Sequence, residues 1–287
     1  MRRIVNLNFD DMAVYQLCLQ GISDLTDQAR LSAISNSIHN QASDYKEKAE
    51  SKEWCFIAAN HSNNDDVIIG AVTKQELKDL YSTHMVGATK PARSIYDQLR
   101  NNAPNGKCPF CGMGHVKTLD HYLPKAKFPF VAVLPENLVP SCRDCNTGKL
   151  TSYSTMPAEQ TLHPYYDHGH FITDQWLHAE VLQTQPATLR FYAHAPDHWD
   201  DISKQRVQAH LRDYELAERF SIESNDELPV IRDTLLQHYS FASSDTISEF
   251  LRQASLSYQR LHANSWQTAM YKALYESQWY CGGGFRN

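Results

Sequence analysis

No window of the 287 residues approaches the run of about 18 consecutive apolar residues that a membrane-spanning helix needs. The opening MRRIVNLNFDDMAVYQL lacks a signal peptide's apolar segment, because Asp10 and Asp11 stand where that segment would lie. A soluble, cytoplasmic protein with no membrane partner is expected. Internal repeats, coiled-coil heptads and low-complexity tracts are also missing, which excludes solenoids, long coiled coils and disordered chains. Excess positive charge is lacking too: 27 Lys and Arg face 33 Asp and Glu, so bulk charge does not make the chain a nonspecific coat for nucleic acid. The seven cysteines are odd in number, and only four fall into metal-ligand spacing. That argues against a disulfide framework and for a reducing compartment. The other three, Cys18, Cys55 and Cys281, are expected as small buried hydrophobes.

What the chain does have is enough apolar content, 42%, to bury a core. Residues 10–50 and 73–106 carry apolar residues at helical spacing, and the Asn, Pro and Gly of 101–106 break the second pattern. Residues 175–194 alternate around Gln185-Pro186 as a hairpin does. Helical stripes follow, one through Val207, Leu211, Tyr214 and Ala217 and another from Phe250 to Leu274. Three regions are therefore expected: an amino-terminal helical region 1–106, a compact module 107–150, and a hairpin with helices over 151–287. Charge is uneven among them. Only the module is basic, with 6 cationic against 3 anionic residues over 107–149, which suggests a focused contact with a polyanion or a set of solvated lysines.

The module reads GKCPFCGMGHVKTLDHYLPKAKFPFVAVLPENLVPSCRDCNTGKL, Gly106 to Leu150. Its two C-x-x-C pairs, Cys108 with Cys111 and Cys142 with Cys145, supply the four thiolates of a tetrahedral structural zinc site, and Pro109 and Gly112 suit the tight knuckle. Four sulfurs leave no open position for substrate, so this ion serves folding. Val116–His121 reads as a short strand, Asn137–Val139 as a second, and Arg143–Leu150 as a helix. Adjacent Asp120 and His121 then point to opposite sides of their strand, and the hairpin and helix bring Asp120, His121 and Asn146 toward one small site.

The residues Cys108, Cys111, LDHYLPK, ENLVPSC, Cys145-Asn146 and Lys149 resemble the HNH endonucleases of ββα-metal fold, in their zinc-stapled branch. The resemblance covers about forty-five residues and implies a mainly α protein, α+β overall, with an embedded zinc-bound nuclease module. By that resemblance Asp120 and Asn146 would hold one Mg²⁺ or Mn²⁺, His121 would be the general base, and Asn137 would fix its ring. Many members have histidine where this chain has Asn146, and an amide oxygen favours the harder cations. Arg143, Lys149, Lys125 and Lys127 would contact DNA phosphates. Phe128 and Phe130 either join them or plug their loop against the helices. Helical flanks around such a module resemble nuclease components of Septu-type or retron-linked anti-phage systems, which pair with an ATPase. The oligomeric state is left open.

Two other readings of the module stand: a noncatalytic zinc module that binds nucleic acid or protein, and a ribonuclease with the same site. LHPYYDHGH, Leu162–His170, invites a second metal site, yet its spacing suits loop and packing chemistry better, with His163 and Tyr165 as alternative cleft residues. WYCGGGF near the carboxyl end precedes no helix, so it is a tight or flexible turn and not a phosphate loop.

Overall fold

A computed structural model of the chain describes residues 1–149 and 152–286, with Lys149 as backbone alone. Contacts divide the chain into two compact units, Arg3–Asp167 and a second comprising Met1–Arg2 with His168–Asn287. The boundaries expected at 106/107 and 150/151 do not coincide with this division. The cysteine-rich module shares one unit with the helices before it, because the apolar faces of both are needed to build one core.

In the first unit, α1 (Asp11–Gln20), α2 (Leu25–Ala33) and α3 (Ser35–Ser51) precede a small ribbon, β1 (Val67–Ile69) with β2 (Val72–Thr73). The Asp10 carboxylate caps α1 by accepting from Ala13 N, and the Asp24 carboxylate caps α2. Next comes α4 (Lys74–Asp79), whose Thr73 and Glu76 form a reciprocal capping box. It runs directly into a π-helical turn, Leu80–Met85, and then α5 (Arg93–Asn101). Asn101–Gly106 does break the helix, with Asn105 and Gly106 both at positive φ.

The module is a ββα unit. Strands β3 (Thr118–His121) and β4 (Leu138–Ser141) pair antiparallel, with Asp120 opposite Val139 and His121 opposite Leu138, and α6 (Arg143–Lys149) follows. Strand and helix bounds agree with the sequence pattern to within two residues, apart from Leu150, which lies outside the described residues. Helix α5 packs against both strands and α6 against β3. Leu119, Ala132, Val133 and Leu138 of the module join Val14, Leu80, Tyr81, Ile95, Tyr96 and Leu99 in one buried cluster. Each buried Leu, Val or Ile among them contributes roughly 1.5–3 kcal/mol by leaving water, so the hairpin is held by the helices as well as by its own ends.

The second unit contains the short α7 (His170–Thr173) and the hairpin β5 (Leu177–Leu182) and β6 (Thr188–Ala193). Four longer elements follow: α8 (Asp201–Asp213), α9 (Leu216–His238), α10 (Ser244–Leu261) and α11 (Trp266–Glu276). Helix α12 (Gln278–Cys281) ends the series. Helix α11 packs on β5 and on α10, and α9 packs on β6. Both helical stripes turn out to span breaks. Glu215 at φ 53° separates α8 from α9, and Leu216, not Ala217, takes the buried position beyond it. Phe250–Leu274 divides at His262–Ser265, where the Asn264 side chain accepts from Trp176 N and Leu177 N and so ties that corner to β5. The glycines of WYCGGGF make a tight turn. A Cβ on Gly284 would lie 2.6 Å from the Trp279 ring, and Phe285 is buried.

Candidate metal centre and active site

The four module cysteines are all buried, and their sulfurs lie within 4.8 Å of one another. Zinc bound tetrahedrally at about 2.3 Å from each sulfur requires S–S edges of roughly 3.8 Å. Cys111 Sγ and Cys142 Sγ are 3.8 Å apart, so the donor set fits a metal ion such as zinc. The knuckles are built for sulfur: Gly114 N donates to Cys111 Sγ at 3.3 Å and Cys145 N to Cys142 Sγ at 3.5 Å. Hydrogen bonding from Cys108, Cys142 and Cys145, with Gly114 N–H beside them, holds the Cys111 thiol far below its ordinary pKa. Gly112, at φ 74°, turns the first knuckle. Gly114 has a stricter reason, since a Cβ there would lie 2.7 Å from both Cys142 Cβ and Cys142 Sγ. Cys18, Cys55 and Cys281 are buried and apart from this cluster, as expected.

His121 ends β3, with 7% of its surface exposed. Its Nε2 is 2.8 Å from the carbonyl oxygen of Ala132, which can only accept, so Nε2 carries the hydrogen and the lone pair of the neutral ring is at Nδ1. The Tyr81 ring meets the imidazole edge-on with centroids 4.4 Å apart, and its hydroxyl donates to Leu119 O. Tyr81 stands in the π-helical turn, and single π turns recur at functional sites.

Asn137 does not hold the ring directly. Fully buried, its side chain accepts from Leu123 N at 2.7 Å and donates to Leu123 O at 3.0 Å and Val131 O at 3.1 Å. Those bonds close the loop whose end carries Ala132. Asn137 therefore positions the carbonyl that positions the imidazole. Asp120 is buried on β3, and Asn146 is half-buried on α6, which packs against that strand. Two hard oxygen donors thus stand on adjoining elements.

Of the expected phosphate contacts, Arg143 is exposed, Lys125 and Lys127 are half-buried, and the side chain of Lys149 lies outside the described residues. Phe128 is buried against Tyr153, and Phe130 packs on the core cluster, so the aromatics plug the loop. LHPYYDHGH is likewise packing. His163 is fully buried, stacked on Trp54 and 3.1 Å from Tyr45 Oη, while the Asp167 carboxylate accepts from His163 N. Tyr165 is buried and donates to Leu138 O, so neither residue lines a cleft, and His168 and His170 are exposed. Sequence reasoning missed Ala132, whose contribution is a backbone atom, and Tyr81, which no local pattern links to a strand nearly forty residues later.

Fold and site together define a mainly helical α+β protein with a four-cysteine ββα module embedded on its amino-terminal helices. The chain is 34% identical over 227 residues to Protein ea31 of Escherichia phage lambda, covering 74% of this chain and 75% of that one. It belongs to the same family as that phage protein. No family model and no solved structure matches it.

Proposed function

We propose that the protein is a metal-dependent endonuclease of HNH type that hydrolyses phosphodiester bonds in DNA, and that the four-cysteine cluster holds a structural zinc. The observation that supports it most is the Nε2–Ala132 carbonyl bond, which sets the tautomer a general base needs on a strand that also carries a buried carboxylate. In this reading His121 Nδ1 accepts a proton from water as the water oxygen bonds to phosphorus. The P–O3′ bond breaks, leaving a 5′-phosphate and a 3′ oxygen that is protonated from solvent. Asp120 and Asn146 would supply hard oxygen ligands to a Mg²⁺ or Mn²⁺. Such a cation neutralises charge on the phosphate and on the departing oxygen. Asn137 and Tyr81 hold the imidazole and its strand in place. A relative encoded by a phage gives no support to an anti-phage role or to an ATPase partner.

The test is incubation of the purified protein with supercoiled plasmid, linear duplex, single-stranded DNA and RNA, in Mg²⁺, in Mn²⁺ or without either, beside His121→Ala. Metal-dependent cutting that the variant loses while keeping its zinc is expected. Cutting of RNA alone would make the protein a ribonuclease. Cleavage that survives the substitution would remove His121 from the chemistry, and no cleavage by folded, zinc-loaded protein would favour a binding module.

A further inference from the structure

Outside the ββα module, α4 brings two lysines, Lys74 and Lys78, into the neighbourhood of Lys125 and Lys127 from the loop after β3. Ser82 Oγ accepts from Lys125 Nζ and donates to Lys78 O, while Asn60 accepts from Lys74 Nζ at its carbonyl and donates from its N–H to Lys127 O. So placed, Lys74 feels the positive charge of Lys127 and Lys78, and Lys125 feels that of Lys78. Burial first and then these like charges hold the Lys74 and Lys125 amines below the usual lysine range. The carboxylates that face the group are Asp66, near Lys74, and Asp79, near Lys125. Among the described residues none of the four makes an ion pair. Their ammonium groups rest instead on neutral oxygens and one imidazole: Lys125 on Ser82 Oγ at 2.5 Å, Lys78 on Asn64 Oδ1 and Gln75 Oε1, Lys127 on His61 Nδ1 at 3.4 Å, and Lys74 on the carbonyls of Asn60 and Ser62.

The cluster also has a direction. Lys125 Nζ lies 4.8 Å from the centre of the Tyr81 ring, and the same ring meets His121 at 4.4 Å between centroids, closer than its contact with Tyr96 at 6.3 Å. Lys125 is therefore within about 9 Å of the imidazole, close enough for both to meet one strand of a nucleic acid.

We propose that Lys125, Lys78 and Lys127 form a phosphate track that leads one strand of a nucleic acid to His121. Lys125 binds the phosphate nearest the imidazole, and Lys78 and Lys127 bind those beyond it. Lys74, 4% exposed, is a positioning residue that ties residues 60–62 to α4 and so seats His61 beside Lys127. A cluster of cations without paired anions repels itself, and a phosphodiester backbone relieves that repulsion while releasing its own counterions. The endpoint at His121 rests on the nuclease reading, but the track itself does not.

The experiment is fluorescence anisotropy of the full-length, zinc-loaded protein with labelled duplex DNA, single-stranded DNA and RNA of one sequence, across a salt series without Mg²⁺ or Mn²⁺. Lys125→Gln, Lys78→Gln, Lys127→Gln and the triple variant are compared with Lys48→Gln on α3. Each track substitution is expected to weaken binding roughly 8-fold at 0.1 M salt and to reduce the slope of log K against log salt by about 0.9, with Lys48→Gln unchanged. If Lys125→Gln does not fold, Lys78→Gln, whose ammonium touches only Asn64 and Gln75, carries the test. Unchanged affinity and slope in the triple variant would overturn the track, whether or not the protein cuts. Lysine-dependent binding by a protein that never cuts would uphold the track and remove the nuclease reading. The tightest of the three nucleic acids identifies the strand it takes.

Discussion

Asn137 and His121 are coupled through a strip of backbone, not through a bond between their side chains. The amide closes the loop from Leu123 to Val131, and the next residue's carbonyl, that of Ala132, receives the imidazole N–H. Asn137→Ala would strip three hydrogen bonds from buried peptide groups, at a cost of roughly 3 kcal/mol or more. Urea denaturation is expected to show that loss. Asn137→Asp should be almost as damaging, since a carboxylate cannot donate to Leu123 O and Val131 O. A variant as stable as the parent would mean the loop is held elsewhere.

His121→Ala tests the chemistry with little change of shape. Removing a general base lowers rate by roughly 10² to 10⁴-fold, so single-turnover cleavage should fall in that range. Zinc content should remain at one equivalent, because the cysteine cluster draws nothing from His121. A fall in zinc along with activity would indicate that the hairpin had come apart.

At the metal cluster, two glycines provide a matched pair. Gly114→Ala drives a methyl group to within 2.7 Å of Cys142 Cβ and Sγ. The expected result is a zinc stoichiometry well below one and a lowered Tm. Gly148→Ala, with nothing within 4 Å of the new Cβ, should keep its zinc and gain up to about 1 kcal/mol from helix propensity. Metal analysis of both proteins decides the point, and full zinc in Gly114→Ala would count against the closely packed knuckle.

Glu136, next to Asn137, supplies a pH dependence. Burial raises its pKa above 4.5 more than Lys46, 3.6 Å away, lowers it. A carboxyl raised in the folded state holds its proton more tightly there than when unfolded. Its contribution is therefore fully present below pH 4.5 and is lost as pH rises through the folded value. Glu136→Gln should gain stability relative to the parent as pH climbs from 4.5 toward neutrality, read as the difference between their urea midpoints. Identical pH slopes would mean that the Lys46 ion pair offsets burial completely.

The cysteine knuckles and the hairpin with its helix were legible in the sequence because each is a local pattern, fixed by spacing along a few residues. The same holds for the helices of the amino-terminal half, whose apolar spacing needs no partner to be seen. The grouping of the module with those helices was not legible. It depends on contacts such as Tyr81 with Leu119 and His121, between segments that share no motif. The lysines of α4 were hidden for the same reason, since Lys78 becomes a neighbour of Lys125 only after folding. Glu215 shows the converse, where an apolar stripe continues in the sequence across a left-handed residue that ends one helix and starts another.

The acceptor that fixes the His121 ring is a peptide oxygen, and that bears on how such a protein can change over generations. Every residue a codon can specify at position 132 brings the same carbonyl, so no missense change there deletes this part of the site. Drift at codon 132 is limited by the room for a side chain in the core and by the Ala132 N–H that donates to Pro129 O, which a proline would delete. The vulnerability is displaced to codon 137, where a single nucleotide change can release the loop and turn the imidazole.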